Sequence, residues 1–316
     1  MKENDASATA AHRERLISHG GDAEGELAPL LESIKARLRL AGDLPGATVE
    51  QQIGMLEALS GLDMGRFLLR NRGLNAYWTH RAVTHLPGDA EAKGMSAFEQ
   101  RFYETLPAVL ATRERFGIFR AQLQALLKPE LTLASVPSGW MGELLLLDHG
   151  PHPDVRLIGI DLDQQALDGA AVLAEERGLT ARVSLRREDA WNMSLKGEVD
   201  VLASNGLNIY EPDEARVTAL YASFFDALKP GGTLVTSFLT PPPTLSPDSP
   251  WDMAQIDQQA LGFQFLMFVR IIDVKWSAFR THAETRAQLE AAGFGEIRFI
   301  DDRARMFPTV VARKPA

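Results

Sequence analysis

The chain has 316 residues, of which 45% are hydrophobic, and a formal net charge of −9. This length can bury a large core and exceeds one minimal domain. The acidic balance argues against nucleic acid as a partner, because phosphate binding draws on clustered Lys and Arg. The absence of cysteine excludes disulfides, thiolate nucleophiles and cysteine-ligated metals.

Residues 1–25 mix small and polar residues without apolar periodicity, which predicts a mobile tail. The tail lacks the apolar stretch of a signal peptide, and no segment of the chain reaches the ~18 uninterrupted apolar residues typical of a membrane span. We therefore expect a cytoplasmic protein without stable membrane insertion.

Residues 26–127 are predicted to form a helical N-terminal region, because apolar residues recur there at helical spacing and strand alternation is absent. Segment 65–81 of this region concentrates aromatic and polar side chains, which favours a lid over a spacer. Aromatic faces attract cations and exclude water, whereas plain packing is the open alternative. The lid candidates are Asn75, Tyr77, Trp78 and His80.

Residues 128–316 switch to short apolar runs that alternate with helices, which implies βαβ units and a parallel sheet. The predicted strands are Leu131–Val136, Val155–Ile160, Val183–Arg186, Val199–Ala203 and Thr233–Leu239. Two later runs, Glu296–Ile300 and Phe307–Ala312, leave no room for a crossover helix and predict an antiparallel hairpin. The expected fold class is α/β: a Rossmann-like, mostly parallel sheet with a C-terminal antiparallel hairpin, an N-terminal helical region and an inserted helical segment.

The loop after the first predicted strand can face a ligand through its backbone N–H groups, near Ser138, Gly139 and Gly142. It lacks the G-x-G-x-x-G spacing of dinucleotide sites, so a plain strand-to-helix turn explains it equally well. Asp161 gives the stronger signal, because an acid at the end of an apolar strand can accept hydrogen bonds from both ribose hydroxyls. Asp163 is interpreted as a helix cap.

The series SVPSGWMGE, GIDLD, REDAW, DVLASNGLNIY and LKPGGTLVTSF resembles the motif order of class I methyltransferases that use S-adenosyl-L-methionine (SAM). The resemblance covers the chain from about Leu131 to the end and implies SAM as the cofactor. One departure is Trp140, a bulky residue in a loop where the family has small ones, which could narrow the pocket. The implied cofactor residues are Ser138, Gly139, Asp161, Leu162, Asp189, Ala190, Trp191, Ser204, Asn205 and Gly206, joined by Tyr77, Trp78 and Arg113.

The implied cofactor residues are expected to contact different parts of SAM. Asp189 could accept from the adenine amino group while Trp191 flanks the ring, although a surface turn explains this motif too. The resemblance places Ser204, Asn205 and Gly206 beside the methionine moiety. A guanidinium could hold a carboxylate of SAM or of a substrate, and the candidates are Arg70, Arg72 and Arg113, of which at least one is expected to be solvated at the surface.

Catalytic residues are harder to name, since much of the catalysis of methyl transfer can be positioning. The candidates are Tyr77, His80, Tyr210 and His282, and His282 could equally be an ordinary residue in the first turn of a helix that Thr281 and Glu284 cap. His149 and His152 lie in a Pro- and Gly-rich loop, and no metal site is predicted there.

The insertion 241–280 holds a Pro-rich run and then a segment, Ile256–Trp276, that is apolar nearly all round. Such a helix must be buried on several sides, line a cavity or sit in an interface. We hypothesise that it lines an apolar substrate pocket, with core packing or a homodimer contact as alternatives.

The motifs GRFLLRNRGLNAYWT and SNGLNIYEPDEARV extend the resemblance to an uncharacterised bacterial subgroup. This subgroup is similar to enzymes that methylate the carboxyl of a hydroxy fatty acid to make a methyl ester signal, as in quorum sensing. The expected function is therefore methyl transfer to a small, apolar or lipid-like acceptor. Methylation of an oxygen or nitrogen of another metabolite, or non-catalytic binding of SAM or lipid, are the alternatives. An NAD-dependent oxidoreductase is disfavoured by the missing glycine pattern and by the terminal hairpin.

Overall fold

The computed structural model describes residues 27–316, so the predicted tail 1–25 lies outside the described residues. Within that part of the chain, no helix is long and apolar enough to cross a membrane. The chain forms two compact units: the first comprises residues up to Leu110 together with Ile256–Trp276, and the second comprises Ala111–Gln255 and Ser277–Ala316. The domain boundary predicted from the sequence lay at residues 127 and 128, and the predicted insertion 241–280 is divided between the two units.

The second unit is built on a seven-stranded sheet with the order β3-β2-β1-β4-β5-β7-β6. Its strands are β1 Thr132–Ser135, β2 Arg156–Asp161, β3 Val183–Arg187, β4 Val199–Ser204, β5 Leu228–Ser237, β6 Gly295–Ile300 and β7 Thr309–Arg313. Strands β1 to β5 pair in parallel, and β7 pairs antiparallel with both β5 and β6. The predicted Rossmann-like sheet with its terminal antiparallel hairpin is therefore confirmed.

The central strands are buried on both faces, which explains their continuous apolar runs. Successive side chains of a strand point to opposite faces, and neighbouring residues accordingly enter different cores. Leu133 packs in one cluster and Ala134 in the other, and the same alternation separates Val201 from Leu202. Two hydrophobic cores thus hold the sheet between layers of helices.

The helices of the second unit begin at recognisable caps. Asp163 accepts from the backbone N–H of Gln165, and Thr281 forms a capping box with Glu284, as the sequence predicts for both helices. The α-helices are Gly142–Leu145, Gln164–Glu176, Glu214–Ala227 and His282–Ala291, with the Pro107–Leu126 helix from Ala111 onward, and the short 3₁₀-helices are Thr180–Arg182, Asn208–Tyr210 and Met253–Gln255.

The first unit is helical, as predicted for the N-terminal region. Its α-helices are Leu27–Ala41, Val49–Ser60, Asp63–Asn71, Ala76–Thr84, Asp89–Ala92, Ala97–Thr105, the start of Pro107–Leu126, and Gln258–Gln264, and the last of these continues into a π-helix, Phe265–Ile272. The π-helix buries five apolar residues in the core of this unit: Leu266, Met267, Phe268, Ile271 and Ile272. Core packing, one of the alternatives weighed for the apolar segment, therefore accounts for most of its apolar side chains.

Candidate functional site

The strand order alone indicates where a ligand site is expected. In open α/β sheets, ligands bind outside the carboxyl ends of the strands where the strand order reverses. Here the reversal lies between β1 and β4, which pair directly. The loop after β1, the end of β2 and the end of β4 therefore border the same crevice of the second unit.

Asp161 organises the loop after β1. Its buried carboxylate accepts from the backbone N–H of Gly139 at 2.9 Å and from that of Asp163 at 3.0 Å. Ser138 N donates to the carbonyl of Ile160 at 2.8 Å. Gly139 has a φ of +50°, a left-handed value that favours glycine. Asp161, the predicted ribose acceptor, thus also holds the loop after β1, which is the predicted cofactor loop, against β2.

The indole of Trp140 packs against a neighbouring helix. A Cβ at Gly169 would lie 2.1 Å from the indole Nε1 of Trp140, so the ring packs directly on the Gln164–Glu176 helix. Glycine at this position makes room for the ring. A narrowing of the pocket by Trp140 stays a prediction.

Glu143 is a functional candidate that sequence reasoning missed. It is buried just past the loop, and its carboxylate accepts a hydrogen bond from the hydroxyl of Ser135 at the end of β1. Burial raises the pKa of Glu143, and the Ser135 hydroxyl partly opposes that shift. The signal in the sequence was a single acid that opens an otherwise apolar helix directly after Gly142.

The motif around Trp191 has a clear structural part. Asp189 Oδ1 accepts from the backbone N–H of Trp191 at 3.0 Å. The indole Nε1 of Trp191 donates to the carbonyl of Arg216 at 2.8 Å, and the Arg216 guanidinium lies 5.2 Å from the ring centre. Ala190, which lies between Asp189 and Trp191 in the sequence, is buried. Trp191 is therefore anchored to the Glu214–Ala227 helix, and its contact with adenine stays a prediction.

The ends of β4 and β5 form a polar array. Ser204 is buried and pairs in register with Thr236, and the Ser237 hydroxyl donates to Asn205 Oδ1 at 3.1 Å. Asn208, buried in the turn that follows, donates to the Tyr221 hydroxyl at 2.9 Å and to the Ser237 carbonyl at 2.8 Å. These contacts fix the groups that the resemblance places beside methionine.

Arg115 faces the same array and was also missed. Its side chain is buried, Nη1 donates to the Ser237 hydroxyl at 3.4 Å, and Cζ lies 4.9 Å from the centre of the Phe307 ring. Burial lowers the pKa of Arg115 to about 10, against the opposing electrostatic effect of Asp302 and Tyr210. Arg115, Phe119, Leu123 and Leu127 follow each other at helical spacing of four, and this buried stripe could have revealed it.

Tyr210, a predicted catalytic residue, ends the 3₁₀-helix Asn208–Tyr210 and interacts electrostatically with Arg115. His282 is the first residue of the His282–Ala291 helix. Its Nε2 is 2.9 Å from Asp301 Oδ1, and its ring packs edge-on against Phe238 and Phe299. Phe238 directly follows β5, the strand beside β4. The catalytic role of His282 stays a prediction.

The predicted lid residues Tyr77, Trp78 and His80 share the Ala76–Thr84 helix of the first unit. The rings of Tyr77 and Trp78 meet edge-on with centres 4.8 Å apart, and Asn75 is the helix cap, accepting from the N–H of Trp78. Burial lowers the pKa of His80 to about 4, so its imidazole is neutral at neutral pH. Their roles toward a cofactor stay predictions.

Two of the predicted carboxylate-binding arginines also lie in the first unit. Arg72 binds Asp273. Its Nη2 lies 2.5 Å from the Asp273 carboxylate, and its Nε donates to the Asp273 backbone carbonyl at 2.6 Å. Arg70 has a buried Nε without a hydrogen-bond partner. Arg113 lies in the second unit, on the Pro107–Leu126 helix that also carries Arg115.

Comparison with known proteins agrees with this geometry. Residues 138–232 match the family described as a methyltransferase domain. A solved structure from Bordetella parapertussis, described as a possible exported protein, is 57% identical, with 92% of this chain and 96% of that chain covered and a TM-score of 0.89. The SAM-dependent methyltransferase SibL in its apo form shares the fold at 15% identity, with 92% and 95% covered and a TM-score of 0.51.

No curated protein matches the chain significantly. The matched domain nevertheless spans the cofactor loop, Asp161 and the end of β4, and the mostly parallel sheet with its terminal hairpin is the one that the sequence motifs imply. The chain therefore carries a methyltransferase domain over residues 138–232, on a sheet with the terminal antiparallel hairpin of class I SAM-dependent methyltransferases.

Proposed function

We propose that this methyltransferase esterifies the carboxyl group of a small apolar acid, of the fatty acid or hydroxy fatty acid class. The observation that carries the proposal is the polar array at the ends of β4 and β5, where Ser204, Asn205 and Ser237 present hydroxyl and amide groups. None of these groups titrates near neutral pH. A carboxylate acceptor is already ionised there and reacts without a general base, whereas an alcohol requires one.

The residues present fit SAM. Asp161 presents a carboxylate held in place by two backbone N–H groups, which suits a ribose diol. Glu143 is a buried acid in the first turn of the helix after the loop, where a ligand ammonium would balance its charge. When bound, SAM supplies an electrophilic methyl group on a sulfonium. The chain's own contribution is to hold both reactants in line and to exclude water.

The apolar character of the acceptor is supported by residues that adjoin the polar array. Ile209 follows Asn208, and Phe307 lies under the Arg115 guanidinium; both are buried. Burial of an acyl chain contributes about 0.8 kcal/mol per methylene. The Ile256–Trp276 segment no longer supports this part of the proposal, because its buried side chains belong to the core of the first unit.

The experiment compares three acceptors of one chain length: decanoate, decanol and decylamine. Each is incubated with protein and SAM, and the products are identified by mass spectrometry together with S-adenosylhomocysteine. We expect methyl decanoate from the acid and no methylated product from the alcohol or the amine. Methylation of decanol or decylamine instead would favour the alternative, a methyltransferase of another metabolite, and the absence of turnover with any acceptor would favour a binding protein.

A small-molecule partner, a cytoplasmic location and a role in signalling through a methyl ester are further parts of this proposal. Esterification removes the charge of the acid, so the product crosses membranes more readily than its precursor, as a diffusible signal must. Cell fractionation tests the location directly. Recovery of the protein outside the cytoplasm would overturn that part.

A further inference from the structure

Arg115 is a buried cation whose hydrogen bonds are mostly unused. Its side chain is 5% exposed, Nη1 has one long contact of 3.4 Å to the Ser237 hydroxyl, and Nε is buried without a hydrogen-bond partner. In the part of the chain that the structure describes, no carboxylate forms an ion pair with it. Burying an unpaired charge is strongly unfavourable, which points to a ligand that completes the site.

The acid that influences Arg115 most is already engaged. Asp302 is 1% exposed, and its oxygens accept from the backbone N–H groups of Ala304 at 3.1 Å, Met306 at 3.2 Å and Phe307 at 2.7 Å. Burial raises the pKa of Asp302, so its negative charge is disfavoured. Asp302 therefore shapes the loop before β7 and acts on the guanidinium only through space, without forming an ion pair with it.

The position of Arg115 favours an acceptor over the cofactor. Ser237 is the last residue of β5, which lies beside β4 and two strands from β1. At the usual ~4.8 Å between strands, this is about 10 Å from the strand that opens the cofactor loop. The Phe307 ring supports one face of the guanidinium, which leaves the planar edge of the fork to bind a carboxylate.

We propose that Arg115 binds the carboxylate of the methyl acceptor and so selects an acid. This inference rests on the proposed function and names the residue that recognises the substrate class. One carboxylate oxygen forms a bond to the methyl carbon while the carbon–sulfur bond breaks and its electron pair stays on sulfur. No proton is transferred. The ester that results is neutral, loses the ion pair with Arg115 and is released.

The test is calorimetric titration of decanoate, decanol and SAM into the parent protein, Arg115→Met and Arg303→Met. Arg303 is a matched control, because it is a mainly exposed arginine of the same unit that contacts Glu114, next to Arg115. Arg115→Met should bind decanoate about 10- to 100-fold more weakly, the scale of a hydrogen bond to a charged group. Its affinities for decanol and SAM should equal those of the parent, and Arg303→Met should resemble the parent throughout.

Each of the other outcomes contradicts a specific part of the proposal. If the parent esterifies decanoate and Arg115→Met binds it equally well, the role of Arg115 is wrong and the proposed function stands. If Arg115→Met loses SAM affinity instead, the guanidinium binds the carboxylate of the cofactor. If the parent neither binds nor esterifies decanoate, the proposed function fails and this inference fails with it.

Thermal melting separates recognition from folding. Removing an unpaired buried charge is expected to leave the melting temperature unchanged or to raise it. If Arg115→Met does not fold, Arg115→Lys carries the test, because lysine keeps the charge and loses the planar fork. An unaltered decanoate affinity in Arg115→Lys would then overturn the assignment.

Discussion

At the scale of single residues, Asp161 has two roles, of which the sequence predicted only the contact with ribose. Its carboxylate fixes the cofactor loop through Gly139, and the residue ends β2, where a ribose is predicted to bind. Asp161→Ala should therefore weaken SAM binding by about 1.5–3 kcal/mol, the range for hydrogen bonds to a charged group. Isothermal titration with SAM measures this loss.

Asp163→Ala is the matched control for that substitution. Asp163 caps the following helix by accepting from Gln165 N at 2.9 Å. Its loss should cost about 1 kcal/mol of unfolding free energy and leave SAM affinity intact. Unchanged affinity in Asp161→Ala would place the ribose site elsewhere on the molecule.

Glu143 connects a buried charge with the pH dependence of stability. Burial raises its pKa above the ordinary value of 4.5, so the folded state favours the neutral acid. The stabilisation is complete below the ordinary value and is lost as pH rises through the raised pKa. Glu143→Gln is neutral at every pH and can still accept from the Ser135 hydroxyl.

We expect Glu143→Gln to melt at a higher temperature than the parent near neutral pH and to approach the parent in acid. Melting curves of both proteins across this range check the prediction. A difference in melting temperature that stays constant with pH would contradict the role given to ionisation of Glu143.

At the scale of elements, the strands were the most predictable part of the fold. Buried parallel strands read as short apolar runs, so β1 to β4 lie within two residues of their predicted bounds. Strand β5 begins earlier than predicted, at Leu228, because this residue pairs with Val199 across a register shift. The place of β7 between β5 and β6 depends on long-range pairing that no local pattern encodes.

The site was predictable where local chemistry marks it and not elsewhere. Asp161 stands out because an acid ends an apolar strand. Arg115 does not, since its neighbours Arg113 and Glu114 give it the look of a surface residue. Its importance comes from contacts with Ser237 and Phe307, more than 100 residues away along the chain.

The π-helix Phe265–Ile272 illustrates the same limit and leads to a prediction. Ile271 is fully buried in the core of the first unit, whereas Val269 on the same element is 52% exposed. Ile271→Ala should lower the free energy of unfolding by about 2–5 kcal/mol, the usual cost of removing a buried aliphatic side chain. Chemical denaturation measures it.

Val269→Ala provides the comparison, because it shortens an exposed side chain of the same helix and should change stability by less than about 0.5 kcal/mol. Equal losses in the two variants would mean that the segment contributes through its surface and not through the core.

At the scale of the whole molecule, the first unit is assembled from two stretches of chain, while the matched methyltransferase domain lies entirely in the second. A ligand that binds only the folded protein stabilises it by mass action, by about 2.7 kcal/mol at a concentration of 100 times its Kd. We expect this stabilisation to be distributed unevenly along the chain, because the cofactor contacts lie at one edge of the sheet.

Amide hydrogen exchange with and without SAM resolves that distribution. Protection should rise at residues 138–142, 161–163 and 204–206, at the carboxyl ends of β1, β2 and β4, and change little at their amino ends near Arg156. Added protection in Ala76–Thr84 would support the cofactor role predicted for Tyr77 and Trp78, and its absence there would assign cofactor binding to the second unit. Protection confined to the amino ends would contradict the location of the site, since parallel strands expose their ligand-binding loops at the opposite edge.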